Sequence, residues 1–305
     1  MQPLVMKFGG YQAPASIHNR AAAHFGELLM RKLGDAIDFQ LIGNVLALGR
    51  KSGDLPGMVA SGELSLCYIS AVRFSDVAPE LGVLELPFVV NNRKTAHRAF
   101  GGEFGATVRS HIEAAGRVRL LGLWDNGFRH LSNKVRPIRA PADCRGLRIR
   151  TQVSDLHVEV FRALGFEPIP VDVKEFAEQV AGDRFQAQDN PLTNTYNFGV
   201  HKYHRYMTLT GHLFGASVMI CNAEHYRSWP AAVRAAVDEA APPATAFQWQ
   251  LAAAEDAEIL AKLDPRENEI IEPTAAERAA FVAAVQPVLE KYRKTFAPKL
   301  FACFA

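Results

Sequence analysis

Apolar and polar positions along the chain switch between two periods. Residues 4–9, LVMKFG, read as a strand. Ser16 follows as the cap of a helix whose apolar positions include Ala21, Ala22, Phe25, Leu28 and Leu29. Further strand-like runs lie near 38–43 (DFQLIG), 64–70 (LSLCYIS) and 119–124 (RLLGLW), with a helix over roughly 94–115. The second half continues in the same way. LRIR (147–150) is strand-like, and Ser154 caps a helix through about Leu164 that Gly165 stops. PIPV, a helix near 173–181, FQAQ, a helix after Pro191, a strand near 205–210 and ASVMIC (216–221) come next. Ala-rich helices follow at about 230–241, 244–263 and 274–292.

Strands alternating with helices predict an α/β fold with largely parallel sheets. The length of 305 residues suits about two domains of roughly 100–200 residues each. No Pro/Gly/Ser-rich linker separates them, so the chain is expected to cross between domains more than once.

Composition narrows the function. Lys and Arg total 34 against 32 for Asp and Glu, a formal charge of +2, which argues against a dedicated nucleic-acid binder. No run of roughly 18 apolar residues occurs, so no membrane-spanning helix is read. The four cysteines, Cys67, Cys144, Cys221 and Cys303, are far apart without a CxxC pair. That spacing excludes a disulfide framework and disfavours a zinc ribbon or redox centre, while leaving one disulfide open. Cys67 and Cys221 sit in apolar runs, as small core residues do. The opening MQPLVMKFGG has no basic segment followed by an apolar stretch, so no secretory signal is read. A cytoplasmic protein and a processed form with a replacement Met both fit that opening.

Catalytic and cofactor motifs are missing. There is no GxSxG elbow, and GRKSG (49–53) lacks the glycine spacing of a phosphate loop. Gly101, Gly102 and Gly105 follow a helix pattern and read as a turn rather than a dinucleotide fingerprint. His201, His204 and His212 have no carboxylate-spaced partner, so surface or hydrogen-bonded histidines are expected and no metal. The basic stretch Lys134–Arg150 is interrupted by Pro137, Pro141, Asp143 and Gly146 and reads as a solvated connector. Arg150 is the exception, because it ends a strand just before a helix.

Three segments carry a resemblance. The first is GLWDNGFRHLSNKVRPI (122–138). The second is GLRIR (146–150), with FRALG from Phe161 and PIP from Pro168 after it. The third is QDNPLTN (188–194), with Lys202-Tyr203, MTLTGH and SWPAAVRAAVDEAA (228–241) behind it. VAPELGVLELPF (77–88) and the opening KFGG…HNRAAAHFGELL match as well. In this order and spacing the chain resembles the DctP-type solute-binding proteins of TRAP transporters over essentially its whole length. The resemblance implies a periplasmic-binding-protein-like fold, two α/β domains around a hinged ligand cleft with a long helix spanning both. On this chain the domains would be 1–126 plus about 214–250, and about 127–213 plus 251–305. It also implies a periplasmic location, a small organic acid as ligand, TRAP membrane subunits as partners, no cofactor and no enzyme activity.

Arg150 stands at the carboxyl end of a strand, where open α/β sheets bind ligands. Its guanidinium fork pairs bidentately with a carboxylate, and by resemblance it is the carboxylate clamp. A salt-bridged strand-end arginine is the competing reading. Arg129 resembles a second ligand-facing arginine, against a surface cation. Asn190 resembles the ligand amide, against N-capping the helix after Pro191. Tyr11, Ser70 and Arg73 follow strands and are candidate polar contacts, and Trp124 and Phe214 are candidate apolar walls. Core packing or a solvated loop competes for each of these five. Thr151 and Gln152 replace the proline and small residue common after the clamp. Ala187 and Asp189 replace the glycine and glutamate common in the third motif. Asp189 keeps the charge, one methylene shorter. The segment RKSGDLPGMVASGEL is also shorter than usual. These departures border the expected pocket and leave the acid open among dicarboxylates, sugar acids, 2-oxo or hydroxy acids and aromatic acids. A sensor of the same fold and an unrecognised α/β enzyme are the rival readings.

Overall fold

Strand β1 (Leu4–Gly9) buries Met6 and Phe8 on alternate positions, and helix α1 (Ile17–Leu33) packs Ala21, Ala22, Phe25 and Leu29 inward. Ser16 begins that helix by accepting from the Asn19 N–H at 3.2 Å. The computed structural model describes residues 2–305. The remaining elements are β2 (Ile37–Ile42), α2 (Leu55–Ala60), β3 (Leu66–Ser70), α3 (Arg93–Gly101), α4 (Glu103–Ala114) and β4 (Val118–Asn133). Then come β5 (Arg148–Thr151), α5 (Asp155–Ala163), β6 (Glu167–Pro170), α6 (Val173–Gln179), β7 (Ala187–Pro191) and α7 (Leu192–Asn197). The chain closes with β8 (Tyr206–Asn222), α8 (Ala223–Ser228), α9 (Ala231–Lys262), β9 (Glu269–Ile271), α10 (Ala275–Arg293) and α11 (Pro298–Ala302).

The chain divides into two units. One comprises Met1–Pro79, Phe100–Asp125 and Ala216–Glu255, and the other Glu80–Ala99, Asn126–Gly215 and Asp256–Ala305. In the first, β1 lies between β2 and β3, parallel to both, and β3 runs antiparallel to the end of β8, Leu66 opposite Cys221. Its centre is aromatic. Trp124 stacks on Phe8 at 6.4 Å and 13°, and its indole N–H donates to Thr245 Oγ1 at 3.2 Å. Gln248 binds both the N–H and the carbonyl of Asp125.

In the second unit β5 is parallel to β6 and β7, β7 is antiparallel to β4, and β9 is parallel to β8. One core contains Leu131, Ile149, Ala187, Val160, Phe161, Phe281 and Val285. Another gathers Val171, Phe176, Val180, Phe185 and Val200. Ile149 and Ala187 are cross-strand partners, which places the first core on their face of the sheet.

Several elements differ from the sequence pattern for physical reasons. Strands β4 and β8 run 16 and 17 residues without a break, where the pattern gave a strand at 119–124 and two separate runs. Polar residues in the continuations, such as Asn126, Arg129 and His212, are themselves buried, so the apolar signal lapses while the ladder continues. Helix α9 passes through Pro242 and Pro243 as one helix of 32 residues. Burial of Val237, Ala240, Ala241 and Ala244 around the prolines outweighs the lost hydrogen bonds. The single helix expected over 94–115 is α3 and α4, parted at Gly102, whose φ of −107° and ψ of −150° are not helical. Residues 80–99, assigned to the first domain on sequence, fall in the second unit, where Leu86 packs in the core with Leu131 and Phe281.

Candidate functional site

The second unit holds Arg150, Arg129, Asn190, Asp189 and Phe214, and the first holds Tyr11, Ser70, Arg73 and Trp124. Arg150 is the third residue of β5, paired with Ile169 of β6 and Gln188 of β7. Its side chain is only 3% exposed. Nε and Nη2 both donate to the Val171 carbonyl, at 3.1 and 2.9 Å. The guanidinium carbon lies 5.6 Å from the centre of the Phe176 ring. The group is therefore fixed on two sides, in a setting that strengthens any further charge-assisted bond it makes. The other cations of the basic stretch are used differently. Arg136 binds the Asp143 and Arg145 carbonyls, and Arg148 those of Arg184 and Asp183, as connectors do.

Arg129 is buried with a carboxylate. Its Nε donates to Asp189 Oδ2 at 2.5 Å, and Nη2 donates to the Asp189 carbonyl at 2.7 Å and to Asn190 Oδ1 at 3.5 Å. Burial, the largest single influence, would raise the Asp189 pKa, but the Arg129 guanidinium and the His212 ring together outweigh it and hold the carboxyl well below its usual range. His212 Nε2 stands 3.6 Å from the same carboxylate, and its Nδ1 meets Thr210 Oγ1 at 2.6 Å. Burial lowers the pKa of His212 against the pull of Asp189.

Asn190 lies inside β7 and is not the cap of α7; that position belongs to Pro191. Its amide nitrogen donates to Gln188 Oε1, and its oxygen accepts from Asn194 Nδ2 at 3.4 Å. Gln188 in turn donates to Ser132 Oγ at 2.8 Å and Thr195 Oγ1 at 3.1 Å. Ser132 also meets His204 Nδ1 at 3.0 Å. The outcome is a buried polar chain running from Arg129 through Asn190 and Gln188 to Ser132. Gln188, the strand partner of Arg150, is a member that sequence reasoning left unassigned. The signal was its place at the start of QDNP, two residues before Asn190, which puts both on one face of a strand.

The remaining candidates are placed individually. Phe214 is buried edge-to-face on Phe128, with ring centres 5.0 Å apart. Trp124 has a face covered by Phe8 and its nitrogen bonded to Thr245, so it is a core residue of the first unit. Tyr11 is buried with its ring 5.5 Å from Tyr68, and the Tyr68 hydroxyl accepts from the Tyr11 and Gln12 N–H groups. Ser70 ends β3 half-buried, and Arg73 lies half-buried in the turn that follows.

One further group escaped the sequence reading. His18 is buried, stacked on Tyr68 at 5.1 Å and 30°. Neither ring nitrogen has a hydrogen-bond partner among the described residues. Burial pushes its pKa down to about 3, against the opposing charge of Asp125. Its neighbour Asn19, by contrast, donates to three backbone carbonyls.

The family model described as "Bacterial extracellular solute-binding protein, family 7" matches residues 8–295. The chain belongs to this family of extracellular solute-binding proteins. Among its relatives is the C4-dicarboxylate-binding periplasmic protein of Rhodobacter capsulatus, 27% identical over 94% of this chain and 86% of the relative. The 2,3-diketo-L-gulonate-binding periplasmic protein of Escherichia coli is 24% identical over 92% of this chain and 84% of its own length. The sugar acid binding protein of Advenella mimigardefordensis, solved with galactonate, shares the fold with a TM-score of 0.92. It is 23% identical over 99% of this chain and 96% of that one. The α/β fold of periplasmic solute-binding proteins, expected from the sequence, is thus shared with the solved structures this chain resembles.

Proposed function

We propose that this protein captures a small organic acid anion outside the cytoplasmic membrane and hands it, chemically unchanged, to the membrane subunits of a TRAP transporter. The dicarboxylate and sugar-acid ligands of its relatives support the ligand class. The observation that carries the reading is the state of Arg150. A buried guanidinium, held by the Val171 carbonyl and the Phe176 ring, stands near the carboxyl end of a parallel strand. Ligands of open α/β sheets bind at such ends. In this reading Arg150 clamps the carboxylate and Asn190 orients the rest of the molecule. Arg129 keeps Asn190 in place from its ion pair with Asp189.

A charge-assisted hydrogen bond contributes about 1.5–3 kcal/mol net. Two or three of them, with an apolar wall, reach the roughly −8 kcal/mol of a micromolar complex. Thermal melting against a panel of organic acids identifies the class. A ligand at 100 times its Kd adds about 2.7 kcal/mol and raises the midpoint by a few degrees. Calorimetry with the best acid then compares Arg150→Lys with the parent. Lysine keeps the charge and loses the planar fork, so affinity should fall at least tenfold. Unchanged affinity in Arg150→Lys would overturn the clamp, and conversion of the acid would overturn the binding-protein reading.

A further inference from the structure

The second unit contains a cavity of about 500 Å³ lined by Asn91, Phe128, His130, Gly211, Asp256 and Arg278. Phe128 and His130 are on β4, two strands from the β5 that carries Arg150, or about 10 Å across the ladder. From this lining we propose a second ligand site, separate from Arg150, that takes a small monocarboxylate.

The charges select one negative charge. Asp256 is paired with Arg93 at 2.8 Å, so those two cancel. Arg278 is held by the Thr210 carbonyl, and its guanidinium carbon lies 4.9 Å from the Phe88 ring centre. No carboxylate among the described residues pairs with it. It is a positioned cation facing a cavity, where most long cationic side chains would be mobile in solvent. A dianion would leave its second charge beside Asp256.

The donors fit two carboxylate oxygens. The Gly211 N–H donates to His130 Nδ1 at 3.0 Å, which requires that nitrogen to be unprotonated. The neutral ring therefore carries its hydrogen on Nε2, which has no protein acceptor among the described residues. Burial, with His212, Arg93, Arg278 and Arg129 around it, lowers the His130 pKa to about 3 and keeps the ring neutral. One oxygen then accepts from Arg278 and the other from His130, and the Phe128 ring receives the apolar portion. Gly211 borders all three groups. A Cβ there would stand 3.7 Å from Arg278 Nη1 and 3.9 Å from both His130 and Phe128. The φ of +52° at this position also suits glycine. The volume is within the roughly 300–1,000 Å³ of small-molecule sites.

The test uses 4-fluorobenzoate, followed by fluorine NMR, on the full chain carrying Arg150→Ala, which removes the clamp of the proposed transport site. Saturable binding is expected in that chain. It should weaken at least tenfold when Arg278→Gln is added, and severalfold with Asn91→Asp, an exposed change that adds a charge without disturbing the core. The uncharged 4-fluorobenzamide should not bind. No saturable binding in the Arg150→Ala chain, binding unchanged by Arg278→Gln or Asn91→Asp, or equal binding of the amide would each overturn the second site. Should Arg278→Gln fail to fold, Asn91→Asp decides. The transport reading stands or falls separately, on calorimetry of the acid whose binding Arg150→Lys weakens, an affinity that Arg278→Gln alone should leave unchanged.

Discussion

Replacing Asp189 with asparagine isolates the electrostatic part of the buried cluster. Arg129 and Asp189 are 3% and 0% exposed and meet at 2.5 Å. Asparagine keeps the shape and one acceptor, so little packing is lost. What remains is a guanidinium buried without its counter-ion, which typically costs about 3–5 kcal/mol. Removing both charges in Arg129→Met/Asp189→Leu should cost much less, within about 1–2 kcal/mol, because no orphaned charge is left. The sign with pH follows from the depressed Asp189 pKa. Its contribution is complete above the unfolded value of about 3.9 and is lost as pH falls through the folded value. The gap between the Asp189→Asn variant and the parent chain should therefore hold at pH 7 and shrink below about pH 4. Urea unfolding followed by far-UV circular dichroism measures it. The three tryptophans, Trp124, Trp229 and Trp249, all lie in the first unit, so their fluorescence gives a separate readout of that unit. A single variant within about 1 kcal/mol of the parent, or a double variant as unstable as the single, would refute the reasoning.

Two further measurements test the rest of the structure. Burial holds His18, His130 and His204 at about 3, against about 6.5 in an unfolded chain. The unfolded state then takes up protons first as pH falls from 6.5 towards 3, and stability should drop by up to about 1.4 kcal/mol per pH unit for each histidine. Melting midpoints at pH 7.5 and 5.5 check this, and a flat profile would mean the three rings titrate normally in the fold. Gly105→Ala would place a Cβ 1.9 Å from the Phe100 carbonyl oxygen, forcing the α3–α4 elbow apart at a cost of roughly 1–3 kcal/mol. Gly57→Ala, in α2 with nothing within 4 Å of its Cβ, should be neutral or slightly stabilising, and equal melting of the two variants would argue against that elbow.

The sequence was most readable where one face of an element is apolar. The strand at Leu4–Gly9 and the helix capped by Ser16 emerge with nearly the expected ends, because each presents a clean period to one core. It was least readable where both faces of a strand are covered and one of them is polar. In GLWDNGFRHLSN the apolar signal stops at Trp124, yet β4 continues to Asn133, with Arg129, His130 and Ser132 bonded to Asp189, Gly211 and His204. Those partners are 60, 81 and 72 residues away in sequence, so no local pattern could announce them. The competing roles weighed for Asn190 turned on the same difficulty. A cap before Pro191 and a strand residue bonded to Gln188 look alike until the β4 register is known.

That register also accounts for the short carboxylate at position 189. Arg129 faces Pro191 across the ladder and Asp189 faces Leu131, which makes Arg129 and Asp189 diagonal neighbours on one face, about 7–8 Å apart at their Cα atoms. An arginine spans most of that distance, so the shorter acid suffices. The shortening therefore keeps the ion pair within β4 and β7. The Arg129 Nη2 is left on the Asp189 carbonyl and the Asn190 amide rather than on a second carboxylate oxygen. The substitution that looked like a retreat from the family pattern thus ties Arg129 to the backbone beside Asn190, and in the proposed function the recognition of a carboxylate falls more heavily on Arg150.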